Sequence, residues 1–184
     1  MPQTPKLLDI RIYGDSILRL KAVEITEIDD ALKEFAEDLV NTMYHRDGVG
    51  LAAPQVGVSK RMIAIDPFWG SDIDKRDPLV MINPAIEKSD GETDTEEGCI
   101  SVPDIYAKVT RPSEVNVSFT TLDGEKRLVK YSGFPAVVVQ HEIDHLNGVL
   151  FTDHLGTLAK LQVLRKLKAL EKMAVDGVNI RGED

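Results

Sequence analysis

A single cysteine, Cys99, is all the thiol this 184-residue chain contains, so an internal disulfide is excluded and any function of that sulfur is that of a thiol or thiolate. A surplus of positive charge is also missing. The formal net charge of -9 argues against a general binder of nucleic acid or anionic membranes. Long apolar runs are absent: the longest near the motif discussed below, residues 134–139, is far short of a membrane span. The first nine residues hold no apolar stretch long enough for a secretory signal. Repeats, low-complexity tracts and interdomain linkers are lacking too. These absences leave a cytoplasmic globular chain with no membrane role and no disulfide partner. Its length suits one domain over residues 1–184 with a frayed tail at 176–184.

Periodicity then supplies the elements. Ile28, Leu32, Phe35, Leu39, Val40 and Met43 form one helical stripe over 28–43, with Thr26 or Asp29 available as cap and Gly48 beyond its end. Strand-like runs follow at 61–65 and 79–82, separated by an acidic segment, 66–78, expected to be an exposed, mobile loop. Residues 115–122 and 125–131 flank Asp123-Gly124, a hairpin turn signal. Pro135 suits the first turn of a helix ending near Asn147-Gly148, and a last amphipathic helix spans about 158–175. Strands and helices do not alternate as β-α-β units. The expected class is therefore α+β: short antiparallel strands around a central helix, with N-terminal and C-terminal helices.

That central helix carries His141-Glu142-Ile143-Asp144-His145. Two imidazoles four residues apart lie on one helical face, one turn apart, and so reach one divalent metal, while Glu142 stands beside it as a proton carrier. The bland alternative is a buried helix with two satisfied histidines. A catalytic mononuclear site takes three protein ligands and keeps one position open. Cys99, in Glu97-Gly98-Cys99-Ile100-Ser101, is the best third donor, because a thiolate suits borderline divalent ions. A lone cysteine is more often a small buried apolar residue. Two rival functions stay open at this point. Another metallopeptidase would take its third ligand downstream, where Asp153, His154 and Glu171 stand in no familiar spacing. A closed structural site would need a fourth Cys or His. Residues 48–55, rich in Gly and Ala and ending at Gln55, read alone as a tight turn; they are not a phosphate loop.

The three segments together, 48–55, 97–101 and 141–145, resemble the signature motifs of peptide deformylases, and the likeness extends over about 17–155. It implies removal of the formyl group from N-formylmethionyl peptides and nascent chains. It also implies one divalent metal ion held by Cys99, His141 and His145, Fe2+ in the cell, with Zn2+, Ni2+ or Co2+ also able to bind. By the same resemblance Glu142 carries the proton, while the Gln55 amide and the Ile100 backbone N–H stabilise the oxyanion. Val49, Gly50, Gly98, Phe134, Val137 and Val138 line the substrate, the apolar ones around the methionine side chain. Glu97 and Arg111 form an ion pair behind the cysteine loop, with Asp144 nearby. Tyr106 departs from the pattern, standing where many members carry an arginine. Lys160, Arg165, Lys166, Lys168 and Lys172 make the last helix basic, as in relatives that contact the ribosome. His45 and His154 read as surface residues or residues supporting the site from behind, with no catalytic role.

Overall fold

The structure, a computed structural model, describes residues 4–70 and 73–181. Helix α1 (Asp30–His45) starts where the Asp29 carboxylate accepts a bond from the Leu32 N–H at 2.7 Å. This satisfies a donor with no partner inside the helix. The chain then builds a five-stranded antiparallel sheet from β2 (Gly50–Ala52), β3 (Met62–Ile65), β4 (Leu79–Asp90), β7 (Glu114–Thr120) and β8 (Lys126–Ser132), in spatial order 2-3-4-7-8. The two strands between β4 and β7, β5 (Thr93–Cys99) and β6 (Val102–Arg111), form a separate hairpin.

Helix α2 (Phe134–Leu146) and helix α1 pack on opposite sides of β3. Met62 and Ala64 join Leu32, Ala36, Leu39 and Met43 of α1, while Ile63 and Ile65 join Ala136, Val139, Ile143 and Leu146 of α2. Successive strand residues face opposite ways, so a strand covered on both faces is apolar throughout. That is why Met62-Ile63-Ala64-Ile65 does not alternate. Helix α3 (Thr157–Glu171) rests on the β5–β6 hairpin, Leu167 meeting Val102, Ile105 and Val109 together with Phe151 and Leu155. The architecture is α+β, with antiparallel strands surrounding α2.

The structure departs from the sequence reading in several places. Strand β4 continues from Ile82 to Asp90 through Asn83 and Pro84, where Asn83 takes φ 51° and the pairing with β7 slips between Ile82 and Ala85. Proline is tolerated in a strand at such a bulge, and its presence hides the extension. Strand β5, Thr-Asp-Thr-Glu-Glu-Gly-Cys, is too polar to read as a strand, yet it pairs with β6 along its length. The loop 66–78 is not wholly exposed: Asp66 and Trp69 are each 3% exposed. Helix α3 stops at Glu171, and the tail beyond it is held rather than frayed. Strand β9 (Ile180–Arg181) pairs with β1 (Ile10–Arg11), and buried Asn179 donates to the carbonyls of Tyr13 and Leu170. The last three residues of that tail, 182–184, lie outside the described residues.

Candidate metal centre

Cys99 is the last residue of β5, and the turn through Ile100 and Ser101 returns the chain to β6. This puts the thiol against α2. The Cys99 sulfur lies 3.3 Å from Nε2 of His145, and one donor atom from each of Cys99, His141 and His145 falls within 4.8 Å of the others. Among the described residues no other group of three or more such donors comes together. Of the candidates that chain position alone left open, Cys99 is the one brought beside the two histidines; Asp153, His154 and Glu171 do not join the cluster.

Behind these donors runs a buried ion-pair chain. Arg111, 4% exposed, donates from Nε and Nη2 to the two Glu97 oxygens at 2.5 and 2.9 Å and from Nη1 to Asp144 at 2.8 Å. Glu97 in turn faces Nδ1 of His141 at 2.8 Å. That contact orients the ring and leaves its other nitrogen for a cation, as carboxylates commonly do behind metal-binding histidines. Burial by itself would raise the Glu97 pKa, but the bonds from His141 and Arg111 and the Arg111 charge bring it down to about 2. His141 is also buried, which disfavours its charge; its bonds to Cys99 and Glu97 win and hold its pKa well above the usual imidazole value. His145 is pushed well below that value by burial and by the charges of His141 and Arg111. Cation binding competes with the His141 proton, so affinity at these donors rises with pH.

Glu142 is buried, and its Oε2 has no hydrogen-bond partner. Burial, outweighing the attraction of His141 and Arg111, raises its pKa to about 7, which suits a group that must take up and release a proton near neutrality. Opposite stands β2. A Cβ on Gly50 would lie 2.8 Å from Cγ and Cδ of Glu142, so only glycine lets the strand come this close. Gln55, 1% exposed, is fixed by its Oε1 accepting from the Ala52 N–H at 2.8 Å. Its Nε2 therefore points at the Cys99 sulfur (3.4 Å) and the Ser101 hydroxyl (3.2 Å).

All of this borders one cleft of about 610 Å³. Val49, Gly50, Gln55, Glu97, Gly98, Cys99, Ile100, Phe134, Val137, Val138, His141 and Glu142 line it, whereas His145, Arg111 and Asp144 support it from behind. Val137 and Val138 are buried in the wall and Phe134 is half-exposed at its edge. Tyr106 lies over Gly98 so closely that a Cβ there would meet its ring at 2.5 Å. Sequence reasoning missed several residues. Ser101 is fully buried beside Gln55; its place directly after the cysteine turn was the available signal. His154, read as a surface or supporting residue, holds Asp144 at 2.7 Å, whereas Arg181 of β9 reaches the cleft wall with no local pattern to reveal it.

One thiol, two imidazoles, an unpartnered buried carboxylate and an open cleft fit a catalytic divalent-metal site, not a closed structural one. The centre defines a mononuclear metal-dependent hydrolase. The comparisons narrow the class. The family model described as polypeptide deformylase matches residues 7–161. A peptide deformylase of Thermotoga neapolitana is 42% identical over 90% of this chain and 97% of its own, and that of Nitrosococcus oceani is 39% identical over 91% and 98%. A crystal structure of a peptide deformylase from Legionella pneumophila superposes with a TM-score of 0.82 at 40% identity, covering 91% of this chain and 96% of that one. The chain belongs to the polypeptide deformylase family. Its activity is metal-dependent hydrolysis of the N-formyl group from the N-formylmethionine of new polypeptides, with release of formate.

Proposed function

We propose that Cys99, His141 and His145 hold the catalytic ion and that Glu142 carries the proton in this deformylation. A divalent cation at these donors supplies Lewis acidity towards the formyl oxygen and the attacking water. Glu142 takes the water's proton on its carboxylate and delivers it to the departing amine nitrogen, a transfer helped by a pKa near neutrality. Gln55 Nε2 and the Ile100 N–H donate to the formyl oxygen as it gains negative charge; losing one such donor costs about 2.7–4 kcal/mol. Glu97, with Arg111 and Asp144 behind it, keeps His141 in orientation. Val49, Gly50, Gly98, Phe134, Val137 and Val138 receive the N-formylmethionyl end, whose flexible apolar side chain suits the valine wall. The clustering of the three donors, in a cleft that Cys99 and His141 line together with Glu142, whose buried Oε2 has no partner, is the observation that carries this reading.

Iron(II) is the ion we assign in the cell; zinc, nickel and cobalt suit the same donors. The work belongs to the bacterial cytoplasm, on nascent chains. Among the described residues no helix is long and apolar enough to cross a membrane. The exposed bases of α3, Lys160, Arg165, Lys166 and Lys168, with Lys172 just beyond its end, favour contact with the polyanionic ribosome. Neutralising them should weaken co-sedimentation with ribosomes, and unchanged binding removes that contact. The central test is anaerobic formate release from formyl-Met-Ala-Ser by wild type and Glu142→Ala, with metal content measured on the same samples. The variant is expected to keep its metal and lose about 100- to 10,000-fold in turnover. Full activity in it would remove Glu142 from the reaction.

A further inference from the structure

The segment after β3 carries the only tryptophan of the chain, Trp69. Its ring packs edge-on against Tyr44 with centroids 5.0 Å apart, and the Arg76 guanidinium lies over the Tyr44 and Trp69 rings at 4.1 and 5.1 Å. The Tyr44 hydroxyl and the Asp77 N–H both donate to one Asp66 oxygen, at 2.5 and 2.8 Å. These contacts make a braced unit, and the brace ends on the cleft wall. The Trp69 indole N–H donates to the Gly48 carbonyl at 3.0 Å. The Asp66 N–H donates to the Val49 carbonyl at 2.8 Å, and from the helix side the Gly48 N–H donates to the Met43 carbonyl at 2.9 Å. Two successive carbonyls are thus held from behind, while Gly48, Val49 and Gly50 themselves line the cleft.

We propose that Trp69 is a positioning residue for substrate binding: through its indole bond to Gly48 it sets where the 48–50 wall stands opposite the Cys99 turn. Apolar burial alone would need only a ring, and a phenyl ring would supply that. The indole adds a directed donor, which removes freedom from a wall built of two glycines and one valine. Glycine-rich backbone loses more conformational freedom on ordering than any other, so this wall gains most from an external tether. The inference rests on the cleft being the formyl-peptide site. Wild-type turnover of formyl-Met-Ala-Ser, measured alongside, tests that reading separately.

Because Trp69 is unique, replacing tryptophan throughout the protein by β-(3-benzothienyl)alanine changes this residue alone, keeping the ring shape and removing the N–H. The substituted holoenzyme should show a KM for formyl-Met-Ala-Ser raised about 3- to 10-fold, the range for one lost hydrogen bond, with kcat within about twofold and thermal midpoint unchanged. Trp69→Phe should move KM in the same direction, and Arg76→Gln, which unstacks the brace but leaves the indole, should do so less. An unchanged KM in the benzothienyl protein overturns the proposal, whatever happens to kcat or to the thermal midpoint.

Discussion

Gly50 and Glu142 are in direct contact: a single carbon added to Gly50 would stand 2.8 Å from Cγ and Cδ of the carboxylate side chain. The close approach of β2 to α2 thus confines the group proposed to move protons. Gly50→Ala must displace either the strand or the carboxylate. We expect kcat/KM for formyl-Met-Ala-Ser to fall about 100-fold, since misplacement of about 1 Å costs that much, with metal content intact. Retained activity would mean that the carboxylate position does not matter.

Chelation separates a catalytic ion from a structural one. The α2 helix is anchored by Ala136, Val139, Ile143 and Leu146 against the sheet, so its fold should stand without an ion. Removing the metal should abolish formate release and leave the far-UV circular dichroism unchanged, and adding back Fe2+ should restore turnover. Cys99→Ala should fail to retain metal on gel filtration. A circular dichroism spectrum that collapses on chelation would point to a structural site.

Arg111 neutralises Glu97 in a buried setting. Replacing it by Met strands a buried carboxylate, an effect worth about 3–5 kcal/mol of stability. The loss also loosens the Glu97 carboxylate that orients the His141 ring, and metal affinity should drop about 10- to 100-fold. Urea unfolding and metal titration of the same variant measure the two effects.

The pH dependence of stability carries a defined sign. The folded-state pKa of Glu97 is about 2, below the ordinary value of 4.5. The folded state thus binds this proton more weakly than the unfolded chain does. The Glu97 contribution is fully present above about pH 4.5 and is lost as pH falls towards 2. Glu97→Gln should flatten the stability profile in that window. An unchanged slope between pH 5 and 2 would show that Glu97 is not held as the ion.

Tyr106 is 67% exposed beside Gly98 at the cleft, and it brings no charge where an arginine would. Selectivity at the second and third peptide positions should be weak, and Tyr106→Arg should create a preference for acidic residues there. A peptide library read out by formate release tests both; a strong acidic preference in the wild type would contradict the first.

The site was legible to different degrees. His141 and His145 could be paired from spacing, because helical periodicity is local. The hairpin around Asp123-Gly124 was readable for the same reason, its turn chemistry being contained in adjacent residues. Cys99 could be nominated but not connected, since its distance from His145 is set by the β5–β6 hairpin, whose first strand is too acidic to look like one. The brace of Trp69 on Gly48 left no trace in pattern at all.

The chain alone determined the helix that carries two imidazoles and a carboxylate on successive turns, because short-range geometry follows from residue order. The tertiary structure decided what those groups meet. It brought in one sulfur from a separate hairpin, a guanidinium that keeps Glu97 ionised, and a glycine strand pressed against Glu142. Those relations depend on how buried surfaces pack and exclude water, and packing joins residues that are remote in sequence.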